Sequence, residues 1–559
     1  MYVRKSSRRL ADGSKVHYLQ LAHKVRDPET GRPRDEILCH LGRADKIDAD
    51  QLRRLIQSLS RFLEPAERTQ VQARLEGLGP DFEAERSLSY GGSYLLDRLW
   101  RRLGLDRALG ELLSQRSFGH DVERVLFSLV ANRALDPRSK LAVERWVGHH
   151  VAIDGLDAVP VQALYRAMDF LQEHGEALQE TVFFSMASLL NLEVDLLFFD
   201  TTSTYFEIPE PDEGEEALRR YGHSKDHRPD RPQVVIGLAV TRGGLPVRCW
   251  VLPGNTNDAS LVDRVQRDLA GWKLARVVWV MDRGMAGEGQ RLALQRGGGH
   301  VIVGEKIRGG SAEAQKALKR AGRFQTVRDG LEVKAVTVEN GSDKRRFVVV
   351  RNPHEVRRDQ AIRERLLERL EAEIAALNER KGRDKEHTRR VCRLKSHPSL
   401  GRYVRELTSG ELRIDRGKVR DEERLDGKYL LTTTDPSLSA EDVALGYKQL
   451  QDVERAFRTL KHTLDLRPLY HRLPERIEAH VLLCWLALLL VRLVERETGH
   501  GWEHVRDQLT ALHRVDLVGK DGRFQVVTKP TPEQHKLLKA LGLTPPKPVQ
   551  TARLDTSAA

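Results

Sequence analysis

Apolar residues change their spacing along this chain, and each change predicts a different kind of element. Lys15–Val25 is rich in apolar and β-favouring residues, 27–31 is a cluster of turn formers, and Glu36–Leu41 returns, so a hairpin is predicted. Gln51–Leu63 then places apolar residues at helical spacing. From about 90 to 190 that spacing dominates. Leu95, Leu96, Leu99, Leu103 and Leu105 form one stripe, and Val122–Leu135, Val161–His174 and Ala177–Leu190 supply others.

The pattern changes at Val194. Val194–Asp200 is a nearly continuous apolar run, as expected of a central strand covered on both faces. Gln233–Thr241 and Leu245–Leu252 read as strands joined across Arg242-Gly243-Gly244. Asp258–Leu269 predicts a helix, Arg276–Met281 a buried strand, Gly289–Arg296 a short helix and His300–Gly304 a fifth strand. That order implies an α/β fold, a mixed sheet with helices on both faces. Further strands follow at Gly330–Val338 and Arg345–Val350, then a charged helical stretch from Val356 to Lys395. Lys428–Thr433 is one more strand, and Ser439–Leu466 reads as one long helix with Glu441 and Asp442 in its first turn. Glu475–Glu497 closes the series as an apolar helix.

These breaks divide the chain into residues 1–85 (hairpin plus helices) and 86–190 (helical), both candidate DNA-binding regions. An α/β core follows at 191–304 and 426–500, interrupted by a subdomain of different pattern at 305–425. Residues 501–559, rich in proline, read as a loosely packed tail.

Charge adds a partner. The 559 residues carry 93 Lys and Arg against 81 Asp and Glu, a net charge of +12 that points to a polyanion. Forty per cent apolar and 31% charged residues exclude wholesale disorder. Cys39, Cys249, Cys392 and Cys484 form no CxxC pair, so neither a disulfide framework nor a structural zinc site is indicated. His387, Cys392 and His397 lie near one another but lack a second thiolate. The longest apolar run, Val481 to Val491, is eleven residues between His480 and Arg492, about half of the ~20 that a bilayer requires. A buried helix, no membrane partner and a cytoplasmic, nucleoid-associated protein are expected.

The candidate chemistry lies in three acids. Asp200 and Asp282 each end a predicted buried strand, and ligands of open α/β sheets bind beyond the carboxyl ends of strands. Parallel neighbours are about 4.8 Å apart, so two terminal carboxylates could bracket one cation. Glu454 lies within the long predicted helix, and Tyr447, Glu454 and Lys461 recur every seven residues, on one stripe. Three carboxylates suit phosphodiester chemistry, because two divalent ions about 4 Å apart can stabilise the entering and leaving oxygens. Lys461 and Tyr447 could hold phosphates, with Arg455 and Arg458 at the edge of the stripe and Arg283 beside the second Asp. Taken singly, each acid has an ordinary reading: a strand-end Asp caps a turn, and Glu454 pairs with Arg458 four residues on.

Leu-Leu-Phe-Phe-Asp200-Thr-Thr, Trp-Val-Met-Asp282-Arg-Gly and the segment from Tyr447 through Glu454 to Lys461 resemble the catalytic motifs of bacterial insertion-sequence DDE transposases. The similar branch carries Tyr-x2-Arg-x3-Glu-x6-Lys and an insertion between its second Asp and its Glu. Leu464-Asp-Leu-Arg467-Pro468-Leu-Tyr470-His471 resembles that branch too. The acids stand 82 and 172 residues apart, and Leu450 occupies the position of the branch's Arg. The resemblance implies an RNase H-like core, with Asp200, Asp282 and Glu454 as catalytic and metal-binding residues for two Mg²⁺ ions, or Mn²⁺ in their place. It implies cutting at element ends and joining of the freed 3′-hydroxyl to target DNA. Tyr447 and Lys461 would grip end phosphates. Double-stranded DNA (terminal inverted repeats and target) would be the partner, bound by a homodimer. Two other readings stay open on the residues alone: an RNase H-like nuclease without strand transfer, and a catalytically inactive DNA-binding regulator.

Overall fold

Apolar alternation at the N-terminus does build a sheet, with one strand more than the hairpin predicts. In the computed structural model β1 (Tyr2–Arg9), β2 (Lys15–Arg26) and β3 (Pro33–Arg43) form an antiparallel sheet, followed by a helix at Ala49–Ser60. The structure describes residues 2–9, 15–26, 33–44, 49–60, 62, 82–114, 119–189, 196–214, 217–256, 261, 264, 265, 267–269, 272, 278–281, 299–327, 330–340, 343–379, 385–467, 469–519 and 522–554. The chain divides into two units. One comprises Met1–Leu192, Tyr205–Glu207 and Arg458–Ala559; the other comprises Glu193–Thr204 and Ile208–Phe457.

In the first unit, β4 (Phe82–Ser89) precedes the predicted helices, which form at Gly91–Arg102, Val122–Leu135, Val161–Glu173 and Gly175–Leu189. The apolar helix Pro474–Thr498 packs against Val122–Leu135 and Val161–Glu173, so it belongs here and not with the core that the sequence assigned it to. Ninety-four per cent of its most apolar stretch is buried, which is why it is apolar all round.

Among the described residues, the central sheet of the second unit has nine strands. They are β5 (Leu196–Tyr205), β6 (Gln233–Thr241), β7 (Pro246–Pro253), β8 (Val278–Met281), β9 (His300–Glu305), β10 (Gln325–Thr326), β11 (Glu332–Asn340), β12 (Asp343–Arg351) and, beyond a small hairpin of β13 (Val404–Glu406) and β14 (Leu412–Ile414), β15 (Lys428–Thr433). Their order is β10-β11-β12-β15-β9-β8-β5-β6-β7. Strands β5, β8 and β9 are parallel, whereas β15 pairs antiparallel with β9 and with β12. Interval 305–425 is therefore not one inserted body. Its strands β10 to β12 extend the central sheet, with Phe347, Val348, Val349 and Val350 buried on both faces. Only the part from Pro353 onward has a separate core, in which Leu370, Leu377, Leu394, Leu400, Tyr403 and Leu412 meet.

The expected long helix is broken. Ser439 caps it as predicted, its hydroxyl accepting the Asp442 N–H at 3.0 Å. The Ala440–Lys448 helix then stops. Leu450, Asp452 and Val453 donate to carbonyls three residues back, at 3.1, 2.8 and 3.1 Å, before Gln451–Arg458 continues. Thr459–Thr463 widens into a π-turn. A tightened turn followed by a widened one removes the constant 3.6-residue period on which a single stripe depends.

The C-terminal residues are not a loose tail. β16 (His513–Gly519), β17 (Gly522–Val527) and β18 (Val549–Leu554) make a sheet with β4. Val515, Leu517, Phe524 and Val526 share a core with Leu41 and Leu55 of the N-terminal segment, which ties the two ends together.

Candidate catalytic site

The register of the parallel strands fixes which residues stand side by side. Leu196, Leu197 and Phe198 of β5 pair with Val278, Trp279 and Val280 of β8, an offset of 82 residues. That is also the separation between Asp200 and Asp282 in the sequence. Val278 to Met281 pair with His300 to Val303 of β9, an offset of 22. Phe198, Val280 and Ile302 therefore share a row, and Asp200 and Gly304 each lie two residues beyond it, on β5 and β9, and so on the same face as that row. Residues in one row project from the same face of a sheet. Asp282 and Arg283 themselves lie outside the described residues.

Gly304 marks what covers that face. The Ala440–Lys448 helix packs over β9 and its neighbours. A Cβ on Gly304 would lie 2.9 Å from Cζ of Tyr447 and closer still to its hydroxyl. The phenol therefore occupies space that only glycine leaves open. Tyr447 is half-buried and stands 6.0 Å, centroid to centroid, from Tyr429, whose own phenol burial pushes up to about 12. This is a packed position.

Asp200 does not end its strand. The β-branched Thr201, Thr202 and Thr204, with Ser203, are buried and carry β5 on to Tyr205. The Asp200 carboxylate is 23% exposed, and its Oδ1 accepts the Thr201 N–H at 2.7 Å. Lys225 Nζ stands 3.7 Å from the same oxygen. The ammonium also donates to the Thr201 carbonyl at 2.7 Å and to Thr201 Oγ1 at 2.6 Å. Beside it is a cavity of about 320 Å³ lined by Thr201, Thr202, Ser203, His223, Lys225 and Asn255.

Glu454 is exposed on the Gln451–Arg458 helix. Among the described residues its carboxylate makes no ion pair, so the local pairing with Arg458 does not form. Arg458 is exposed, whereas Arg455 pairs with Asp452 at 3.2 Å. Lys461 falls in the π-turn, which belongs to the other unit. Among the described residues no three His, Cys, Asp or Glu side chains gather as a metal site; Asp282 is outside that set. Sequence reading missed Lys225, which lies between two predicted strands, and Gly304, which it saw only as the end of a strand.

Residues 198–490, more than half of the chain, match the family model of the transposase DDE domain. The chain belongs to the DDE transposase family. Residues 3–70 of this transposase match the N-terminal domain of IS1634 family transposases, a stretch that takes in β1 to β3 and the helix after them. No curated protein matches the transposase. Among solved structures, it is similar to the piggyBac transposase synaptic complex with hairpin DNA, determined by cryo-EM. That similarity has 9% identity and a TM-score of 0.33, and covers 72% of this chain and 75% of the other. The transposase is an enzyme that cleaves and transfers DNA strands, in a family that uses divalent metal ions.

Proposed function

We propose that Asp200, Asp282 and Glu454 form the catalytic centre of this transposase, on an RNase H-like core. One observation carries the reading: the β5–β8 offset of 82 equals the spacing of the two Asp residues. Continued by two residues, that register would bring the two carboxylates side by side, on the sheet that Tyr447 packs against at Gly304. Glu454 lies seven residues beyond Tyr447 on the next helix. An exposed helical carboxylate that forgoes its local Arg is available to a third party.

The donor set fits a hard divalent ion. Carboxylate oxygens are what Mg²⁺ and Mn²⁺ select, and the Asp200 oxygens are partly exposed beside a polar cavity. Asp200, Asp282 and Glu454 would hold two Mg²⁺ ions. Ions so placed supply charge stabilisation to the entering and leaving oxygens of a phosphodiester. The chain's own residues do the rest. Thr201 and Lys225 hold the Asp200 carboxylate. Tyr447, fixed by its packing, bounds the substrate side of the row, and Arg455, Arg458, Arg283 and Lys461 are candidates for phosphate contacts. The net charge of +12 favours a polyanion, and the N-terminal region would read terminal inverted repeats, with a homodimer on DNA. The chain would belong to the branch with the Tyr-x2-Arg-x3-Glu-x6-Lys signature. It departs at Leu450, which is buried where the helix breaks.

The test uses DNA that carries the gene and its flanking sequence. Asp200→Asn is expected to abolish Mg²⁺-dependent cleavage and leave DNA binding intact. Retained cleavage would refute the assignment.

A further inference from the structure

The loop 222–231 is rigidly made. Ser224 Oγ accepts the N–H groups of Asp226 and Arg228 at 3.3 and 3.0 Å, and Arg228 forks onto Asp230 at 2.9 and 3.0 Å. Gln233 Nε2 donates to the carbonyls of His223 at 3.2 Å and Gly254 at 2.9 Å. His227 takes a left-handed φ of 58°, uncommon for a residue with a side chain. This network delivers one residue to β5. Lys225 donates its backbone N–H to Ser203 Oγ at 2.8 Å, while its ammonium meets Thr201 and Asp200 as described above.

An ordinary surface Lys–Asp pair contributes little, because both side chains lose freedom and water screens the charges. Lys225 differs. Two neutral acceptors on Thr201 fix the ammonium in place whether or not the carboxylate is there. The charge is therefore stationed beside Asp200 and not merely drawn to it. A stationed cation has two effects by Coulomb's law: it holds a carboxylate, and it repels any second cation approaching the same oxygens.

We infer that Lys225 is a positioning residue which holds the Asp200 carboxylate and competes with the divalent ion for it, so that the 222–231 loop sets the metal affinity of the site. The inference rests on the reading of Asp200 as a metal ligand.

The experiment titrates the full-length protein with Mn²⁺ and follows free Mn²⁺ by electron paramagnetic resonance. Lys225→Met keeps most of the side-chain length and removes the charge, and it is expected to tighten Mn²⁺ binding about threefold to tenfold. Lys225→Arg keeps the charge and should stay within about twofold of the wild type. A loop that served only as structural support would give the opposite sign, since loosening Asp200 weakens its binding. Unchanged or weaker Mn²⁺ binding in Lys225→Met therefore overturns the inference. Asp200→Asn separates the two levels. If it binds Mn²⁺ like the wild type, the ligand reading fails and the inference falls with it. If it loses Mn²⁺ while Lys225→Met gains nothing, the inference alone falls.

Discussion

The phenol of Tyr447 lies over Gly304, in space that any other residue would fill with its Cβ. Gly304 and Asp200 each lie two residues beyond the row shared by Ile302, Val280 and Phe198. The glycine thus joins two parts of the chain that are distant in sequence: the central sheet that carries Asp200 and the helix segment that leads to Glu454.

Gly304→Ala is expected to displace the phenol and destabilise the protein by about 1–3 kcal/mol, the usual cost of overpacking. Because the hydroxyl is the nearest atom, Tyr447→Phe in the same chain should recover part of that loss. Urea unfolding of the two single variants and the double variant measures the coupling. Additive losses would show that the two residues do not meet.

A second expectation concerns pH. Lys140 is fully buried in the first unit, 3.2 Å from His480 Nδ1, and burial with the nearby Arg133 pulls its ammonium down to about 7. Burial lowers His471 to about 4 and His480 well below its ordinary value, with Lys140 adding to both shifts. All three groups bind protons more readily in the unfolded chain. Stability should therefore rise with pH from about 4 to 6.5 as the histidines lose that difference, and rise again from about 7 to 10.5 through Lys140. Lys140→Met should flatten the upper limb and raise the melting temperature at neutral pH. Melting curves across this range decide it.

The separate core that follows β12 has its own internal tie. Arg363 and Asp426 pair with both side chains more than nine-tenths buried. Asp426→Ala leaves a buried guanidinium without its carboxylate and should cost roughly 3–5 kcal/mol. Hydrogen exchange of segment 353–423 would register the loss as faster local opening. Unchanged protection would show that water already serves Arg363.

Much of the fold was legible in the sequence. Gln233–Thr241, Lys428–Thr433 and Val122–Leu135 form with the predicted limits, because continuous apolar runs and helical stripes arise directly from burial. Register was not legible. Nothing in the runs around Phe198 and Val280 says which residues face each other, yet they pair at an offset of 82, the number that separates Asp200 from Asp282 in the sequence. The break at Leu450 was hidden because Val443, Val453, Ala456, Phe457 and Leu460 are buried on both sides of it, and an apolar pattern tolerates a slipped residue. The C-terminal segment was misread through its prolines. Thr531-Pro532-Glu533-Gln534 is a capping box with proline in the first turn, a helix start in plain view. Lys225 could not be found from spacing, since its partner Thr201 is reached across a loop and not along an element.

Convergence of the three acids is measured most directly by iron-mediated cleavage of the protein backbone. Fe²⁺ bound in place of Mg²⁺, with ascorbate and peroxide, cuts the chain near its ligands. Cuts near Asp200, Asp282 and Glu454 together, all suppressed by excess Mg²⁺ and all lost in Asp200→Asn, are the predicted result. Cuts at one of these segments without the other two would contradict a shared centre.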